Sequence, residues 1–110
     1  MAIKDLTQIN VHLFICNGGS CKQKGAEQST ALIRSALEEF GFSESVFTTK
    51  TLCNGRCNDG PILISQPCGI WFKQITVENA RDFVKSYIVE REEPKANRLY
   101  AYGEQSINSI

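Results

Sequence analysis

The sequence predicts an α/β fold, with one mixed sheet and two principal helices strung β-α-β and then β-β-α. Three observations carry this. Two runs rich in β-branched residues each lead straight into a cysteine, and an amphipathic segment of helical period lies between them. Two shorter apolar runs are joined by Pro67-Cys68-Gly69, and a second segment of helical period closes the pattern near residue 90.

The first run, Ile9-Asn10-Val11-His12-Leu13-Phe14-Ile15, suits a largely buried strand and stops at Cys16. Over residues 26–40, Leu32, Ile33, Ala36, Leu37 and Phe40 share one helical face, while Glu27, Arg34 and Glu38 fall elsewhere. Gly41 stands where a left-handed residue would end that helix. Val46-Phe47-Thr48-Thr49-Lys50-Thr51-Leu52 is the second strand and runs into Cys53. Pro61 opens a third, Ile62-Leu63-Ile64-Ser65, and the short turn to Ile70-Trp71-Phe72 predicts a hairpin. Thr76 is the expected N-cap of a helix from residue 77 to about 90, with Val77, Ala80, Phe83, Val84, Tyr87 and Ile88 on its apolar face. A helical crossover makes the first two strands parallel, and the hairpin adds an antiparallel pair. This is the thioredoxin order of elements. It assigns one domain to residues 1–91. Residues 92–110 form a tail without clear period, either disordered or folded back, with Tyr100 and Tyr102 as aromatic anchors near its end.

The chain has 110 residues, 42% in the hydrophobic class, which is enough for one core and too little for two. Twelve Lys and Arg balance 12 Asp and Glu, so a nucleic-acid role has no electrostatic support. No segment approaches the ~18 continuous apolar residues of a membrane span. The first ten residues have no apolar secretory core, so the expected setting is the reducing cytosol. In that compartment clustered cysteines bind metal or do redox chemistry more often than they form structural disulfides, and a count of five argues against a fully paired framework.

Four of the five cysteines form two clusters, Cys16-Asn-Gly-Gly-Ser-Cys21 and Cys53-Asn-Gly-Arg-Cys57, separated by 31 residues. Four thiolates are what a small iron–sulfur centre needs. Cys16 and Cys53 each follow a strand, so parallel strands would bring both loops to one end of the sheet. Gly18, Gly19, Gly25, Gly55 and Gly60 allow tight bends there, and successive backbone N–H groups in such turns favour an anionic cluster. Lys22, Lys24 and Arg56 either oppose the cluster's negative charge or are solvated loop charges.

Other uses of the cysteines match less well. A four-cysteine zinc site usually has C-x2-C knuckles, and neither cluster has that spacing. A dithiol oxidoreductase wants C-x-x-C after the first strand, where this chain has C-x4-C. A Rieske centre needs two histidines and only His12 exists; lying within a strand, His12 is expected to be a packed or edge-exposed histidine rather than a catalytic one. No Ser/His/Asp set, convincing carboxylate pair or dinucleotide glycine fingerprint marks the chain as an enzyme.

Across residues 9–90 the chain resembles the thioredoxin-like 2Fe–2S ferredoxins. The resemblance rests on the strand ending Phe14-Ile15-Cys16, the C-x4-C loop with Gly25, and Cys53-Asn-Gly-Arg-Cys57-Asn-Asp-Gly-Pro61. Pro67-Cys68-Gly69-Ile70-Trp71-Phe72 and Ile75-Thr76 also match the family's layout. The resemblance implies a small cytoplasmic one-electron carrier, a homodimer with one 2Fe–2S cluster per chain. Its ligands would be Cys16, Cys21, Cys53 and Cys57, and reductases or oxidoreductases would be its partners. The cluster domain is also similar to one in the small iron–sulfur subunit of respiratory NADH dehydrogenases, where a helical extension comes first. An iron–sulfur sensor or interaction protein is the alternative, and a structural zinc domain a further one. The chain departs from the family at Cys68, where the turn often carries an acidic residue, and in the tail. Cys68 is expected to lie far from the cluster and not to ligate it.

Overall fold

The computed structural model describes residues 4–109. In order come β1 (Val11–Cys16), α1 (Gly19–Gln23), α2 (Ala26–Glu39), β2 (Val46–Thr51), β3 (Leu63–Gln66), β4 (Ile70–Phe72), α3 (Ala80–Val84) and β5 (Arg98–Ala101). The strands make one sheet in the order β2-β1-β3-β4-β5. β1 and β2 are parallel and end together, Cys16 opposite Thr51. The pairs β1–β3, β3–β4 and β4–β5 are antiparallel. The mixed sheet, the helical crossover and the hairpin are those the sequence predicts.

Several boundaries differ, including β2, which stops at Thr51, one residue short of the expected Leu52. β1 begins at Val11, two residues late, because the N–H groups of Asn10 and Val11 both turn to the Ser45 carbonyl at 2.8 and 3.3 Å. β3 is shifted by one residue, to Leu63–Gln66. The last helix starts at Ala80 and not after Thr76. Asn79 Oδ1 accepts from the Thr76 N–H at 2.8 Å and its Nδ2 donates to the Gln74 carbonyl at 2.8 Å, which holds residues 76–79 in a turn. Such local side-chain bonds compete with helix formation. Val77, expected on the apolar face, is exposed, whereas Ala80, Phe83, Val84 and Ile88 are buried as expected. The helix continues as a π-type turn, Lys85–Val89, closed by a Glu90 N–H to Lys85 C=O bond of 3.0 Å.

Two apolar clusters flank the sheet. The larger joins Leu13, Ile15, Leu63 and Phe72 of the strands to Ile33, Ala36 and Leu37 of α2 and to Phe83, Val84 and Ile88 beyond β4. The smaller holds Cys16, Cys21, Ala26, Ile62, Ile64 and Leu99, with Phe14, Trp71 and Tyr100 packed against it. Phe14, Ile64, Trp71 and Tyr100 lie in register across four strands. That row is not covered by α3, whose buried residues belong to the first cluster.

The tail folds back, the second of the two outcomes its sequence leaves open, and adds the edge strand β5. Phe72 pairs with Arg98 and Trp71 with Tyr100, so Leu99 is the extra residue of a bulge and is 2% exposed within the smaller cluster. The Asn97 side chain donates to the Lys73 carbonyl at 3.0 Å. The buried Lys73 ammonium donates to the Asn108 carbonyl at 2.5 Å, and the Asn108 N–H bonds Leu99 C=O at 2.9 Å. Among the described residues no helix is long and apolar enough to cross a membrane.

Candidate metal centre

Because β1 and β2 are parallel neighbours, the loops that follow them leave the sheet at one end. The contact between the loops is close enough to exclude any side chain. A Cβ on Gly18 would stand 2.9 Å from Cα and from N of Cys53, and one on Gly60 would stand 2.7 Å from Cys21 Sγ. These distances are below those real Cβ atoms tolerate, so a side chain at Gly18 would meet backbone and one at Gly60 would push the Cys21 thiol aside. Lys24 Nζ ties the loops again, donating to the Cys57 carbonyl at 2.8 Å. Arg56 holds the second loop through the buried Asp59 carboxylate at 2.6 Å.

The four thiols lie in two settings. Cys16 closes β1, Cys21 sits on α1, and both are 2% exposed. Cys53 and Cys57 are exposed, with their sulfurs 3.6 Å apart. Two thiolates on one tetrahedral metal with bonds of about 2.3 Å stand about 3.8 Å apart, so this pair is spaced to share one metal. Among the described residues no three His, Cys, Asp or Glu side chains converge on one point for a single ion. The donors come as pairs, with Cys21 close enough to Cys16 and Cys57 to be influenced by both. A cluster of two irons, each taking two thiolates, fits this donor set.

Local electrostatics separate the buried thiols. Burial pushes the Cys21 thiol up to about 11, opposed by the Ile62 backbone and reinforced by Cys16 and Cys57. Burial also pushes Cys16 up, but the Gly18 backbone, the Cys21 side chain and both backbone and side chain of Asn54 bring it below its ordinary value. Ligation of a metal would remove both protons, with the metal's charge offsetting the cost. The Gly55 N–H donates to Cys53 Sγ at 3.3 Å, the kind of backbone donor that stabilises a ligating sulfur.

Residues the sequence did not single out complete the surroundings. Asn17, buried after Cys16, donates from its N–H to the Thr51 carbonyl at 2.8 Å and from Nδ2 to the Ile15 carbonyl at 3.1 Å, pinning the first loop to β1 and β2. Asn54 Nδ2 donates to Thr51 Oγ1 at 2.7 Å and pins the second. Their positions, each directly after the first cysteine of a cluster, are the signal that marks them. Leu99 carried no signal. His12 takes the packed of its two expected settings, half-buried on the interior strand β1: Nε2 lies 2.7 Å from Thr49 Oγ1, its ring stacks on Phe14 at 4.0 Å, and burial holds its pKa below the ordinary value. Cys68 lies in the β3–β4 turn, which follows Gln66, the partner of His12. The loops adjoin the other end, where Leu63 faces Ile15.

Gly60→Ala is expected to displace Cys21 and to cost about 1–3 kcal/mol through overpacking. Iron retained per chain and the thermal midpoint both measure this. Full retention at an unchanged midpoint would mean that the loops have slack.

The chain is 40% identical over 98 residues to a Priestia megaterium protein assigned as a 2Fe–2S ferredoxin, spanning 89% of this chain and 76% of that one. It is 30% identical over 87 residues to a 2Fe–2S ferredoxin of Clostridium pasteurianum, spanning 70% of this chain and 83% of that one. Among solved structures, a thioredoxin-like [2Fe–2S] ferredoxin from Aquifex aeolicus matches with a TM-score of 0.80 at 19% identity, covering 90% of this chain and 98% of the other. No family model matches. The solved structure speaks for the fold and the two curated relatives for the lineage: the chain belongs to the 2Fe–2S ferredoxins, on a thioredoxin-like fold.

Proposed function

We propose that this chain is a one-electron carrier that holds a single 2Fe–2S cluster through Cys16, Cys21, Cys53 and Cys57. The observation that carries this reading is the meeting of the two cysteine loops, with Gly18 against Cys53 and Gly60 against Cys21 where no side chain would fit. When bound, the cluster supplies a one-electron couple between its ferric and ferrous states. The chain supplies rigidity and asymmetry. Cys16 and Cys21, buried in the smaller apolar cluster, would hold one side of the group, and the exposed Cys53 and Cys57 would hold the other. The exposed Cys53 and Cys57 side is where electrons would exchange, with separate oxidoreductases as donor and acceptor and the chain as their substrate. We place it in the cytoplasm on the same reading.

The sheet face with Phe14, Ile64, Trp71 and Tyr100 supports a homodimer, because this apolar row lies on the side of the sheet that α3 does not pack against. Sedimentation should give twice the chain mass for the wild type and the chain mass for Tyr100→Glu. A wild type that sediments as a single chain would remove this part of the reading.

The carrier itself is tested by the visible spectrum of anaerobically purified protein, before and after dithionite. Sulfur-to-iron charge-transfer bands that bleach and return are expected. A colourless, zinc-containing protein would overturn the reading.

A further inference from the structure

We propose that Asn54 is a positioning residue that raises the reduction potential, by placing hydrogen-bond donors from the second cysteine loop beside Cys16 of the first. This rests on the ligand assignment above and names a residue that tunes that site.

The chain contains Cys-Asn-Gly twice, as Cys16-Asn17-Gly18 and as Cys53-Asn54-Gly55. The fold gives the two asparagines different work. Asn17 is buried and turns inward, its Nδ2 donating to the Ile15 carbonyl at 3.1 Å and to Thr30 Oγ1 at 3.3 Å. Asn54 is half-buried and crosses to the other loop, where both its backbone and its side chain reach Cys16. The parallel strands make this reach possible, because Cys16 ends β1 directly opposite Thr51 at the end of β2.

The Leu52 carbonyl is the reason a donor matters at this point. Its oxygen lies 3.5 Å from Cys16 Sγ and accepts from the thiol. A ligating cysteine is a thiolate and has no proton to give. The carbonyl would then turn the negative end of its dipole towards an anionic sulfur on a residue 2% exposed, with little water to screen it. Two donors occupy that oxygen: Thr51 Oγ1 at 2.9 Å and Asn54 Nδ2 at 3.3 Å. Asn54 Nδ2 directs its second hydrogen to Thr51 Oγ1 at 2.7 Å. A hydroxyl has one hydrogen, so Thr51 accepts from Asn54 and gives to Leu52. Asn54 thus faces the carbonyl itself and also orients the hydroxyl that faces it.

Hydrogen bonds around the sulfurs are among the factors that set the potential of an iron–sulfur centre, and reduction adds one negative charge. Donors in a buried setting favour that added charge more strongly than donors in water. The exposed side has its own donor, the Gly55 N–H at 3.3 Å from Cys53 Sγ, but there solvent competes. A single side chain therefore has its greatest leverage beside Cys16.

The test is a redox titration of the cluster-loaded chain, with iron content and visible spectrum recorded first. Asn54→Ala removes the side-chain donors. Asn54→Asp keeps the shape, removes the same donors and adds a charge. Both should load to the wild-type iron content and shift the midpoint to more negative potential, Asn54→Asp further than Asn54→Ala. Thr51→Val leaves Asn54 in place without its hydroxyl partner and should shift the midpoint the same way by less. A residue that only braced the loop would lower the thermal midpoint without moving the potential. Loaded Asn54 variants at the wild-type potential, or shifted positive, would overturn the tuning role, as would loss of the cluster from both. A wild type that never acquires the cluster spectrum would defeat the ligand assignment beneath it.

Discussion

Cys57→Ala is expected to strip or remodel the cluster, and Cys68→Ala to leave it intact. The two thiols are both exposed, so reactivity does not separate them; position does. Cys57 lies 3.6 Å from Cys53, and its carbonyl accepts the Lys24 ammonium that ties the two loops. Cys68 lies in the turn at the other end of β3, where Gln66 faces His12. Removing Cys57 takes away one of the four sulfurs such a cluster needs, and its exposed position lets water reach the metal left behind. Iron and acid-labile sulfide per chain should fall sharply in Cys57→Ala and match the wild type in Cys68→Ala. The reverse pattern would refute the ligand set.

Leu99→Ala is expected to destabilise the fold by about 2–5 kcal/mol, the cost of emptying a fully buried leucine site. It should also speed loss of iron to a chelator. Leu99 is 2% exposed and shares its apolar cluster with Cys16, Cys21, Ala26, Ile62 and Ile64, so the cavity would open beside the buried pair of thiols. The edge position of β5 sharpens the effect, because the bulge at Leu99 and the Lys73–Asn108 bond together hold the segment down. Denaturant midpoint and chelator kinetics measure the two consequences. If the midpoint fell while iron release stayed at the wild-type rate, β5 would belong to the core without protecting the site.

The parts of the fold legible in the sequence are those where period and boundary agree. α2 begins at Ala26 as its apolar face predicts, and Phe40 with Gly41 ends it. β1 and β2 run into their cysteines because apolar, β-branched residues continue to the edge of each loop. The hairpin was legible from Pro67-Cys68-Gly69. Other parts were hidden for physical reasons. α1 contains the poor helix former Gly19 directly after Gly18, so a short helix looked like a loop. The start of α3 was masked because Asn79, and not Thr76, organises the turn with its side chain. β5 is four residues long, and its bulge breaks the alternation that marks a strand, so Leu99 gave no sign of facing the cysteines. At the site, the cysteines and glycines were visible as residue types. The contacts that crowd Gly18 and Gly60 join segments more than thirty residues apart and emerge only in three dimensions.

We propose four cysteines from two loops as the holders of one dinuclear cluster that carries one electron. The most direct test of this assignment combines chemical analysis with electron paramagnetic resonance of the anaerobic protein reduced by dithionite. Two irons and two sulfides per chain are expected, with no resonance when oxidised and one unpaired spin per chain when reduced. Zinc in place of iron, or a loaded chain that takes up no electron, would contradict it.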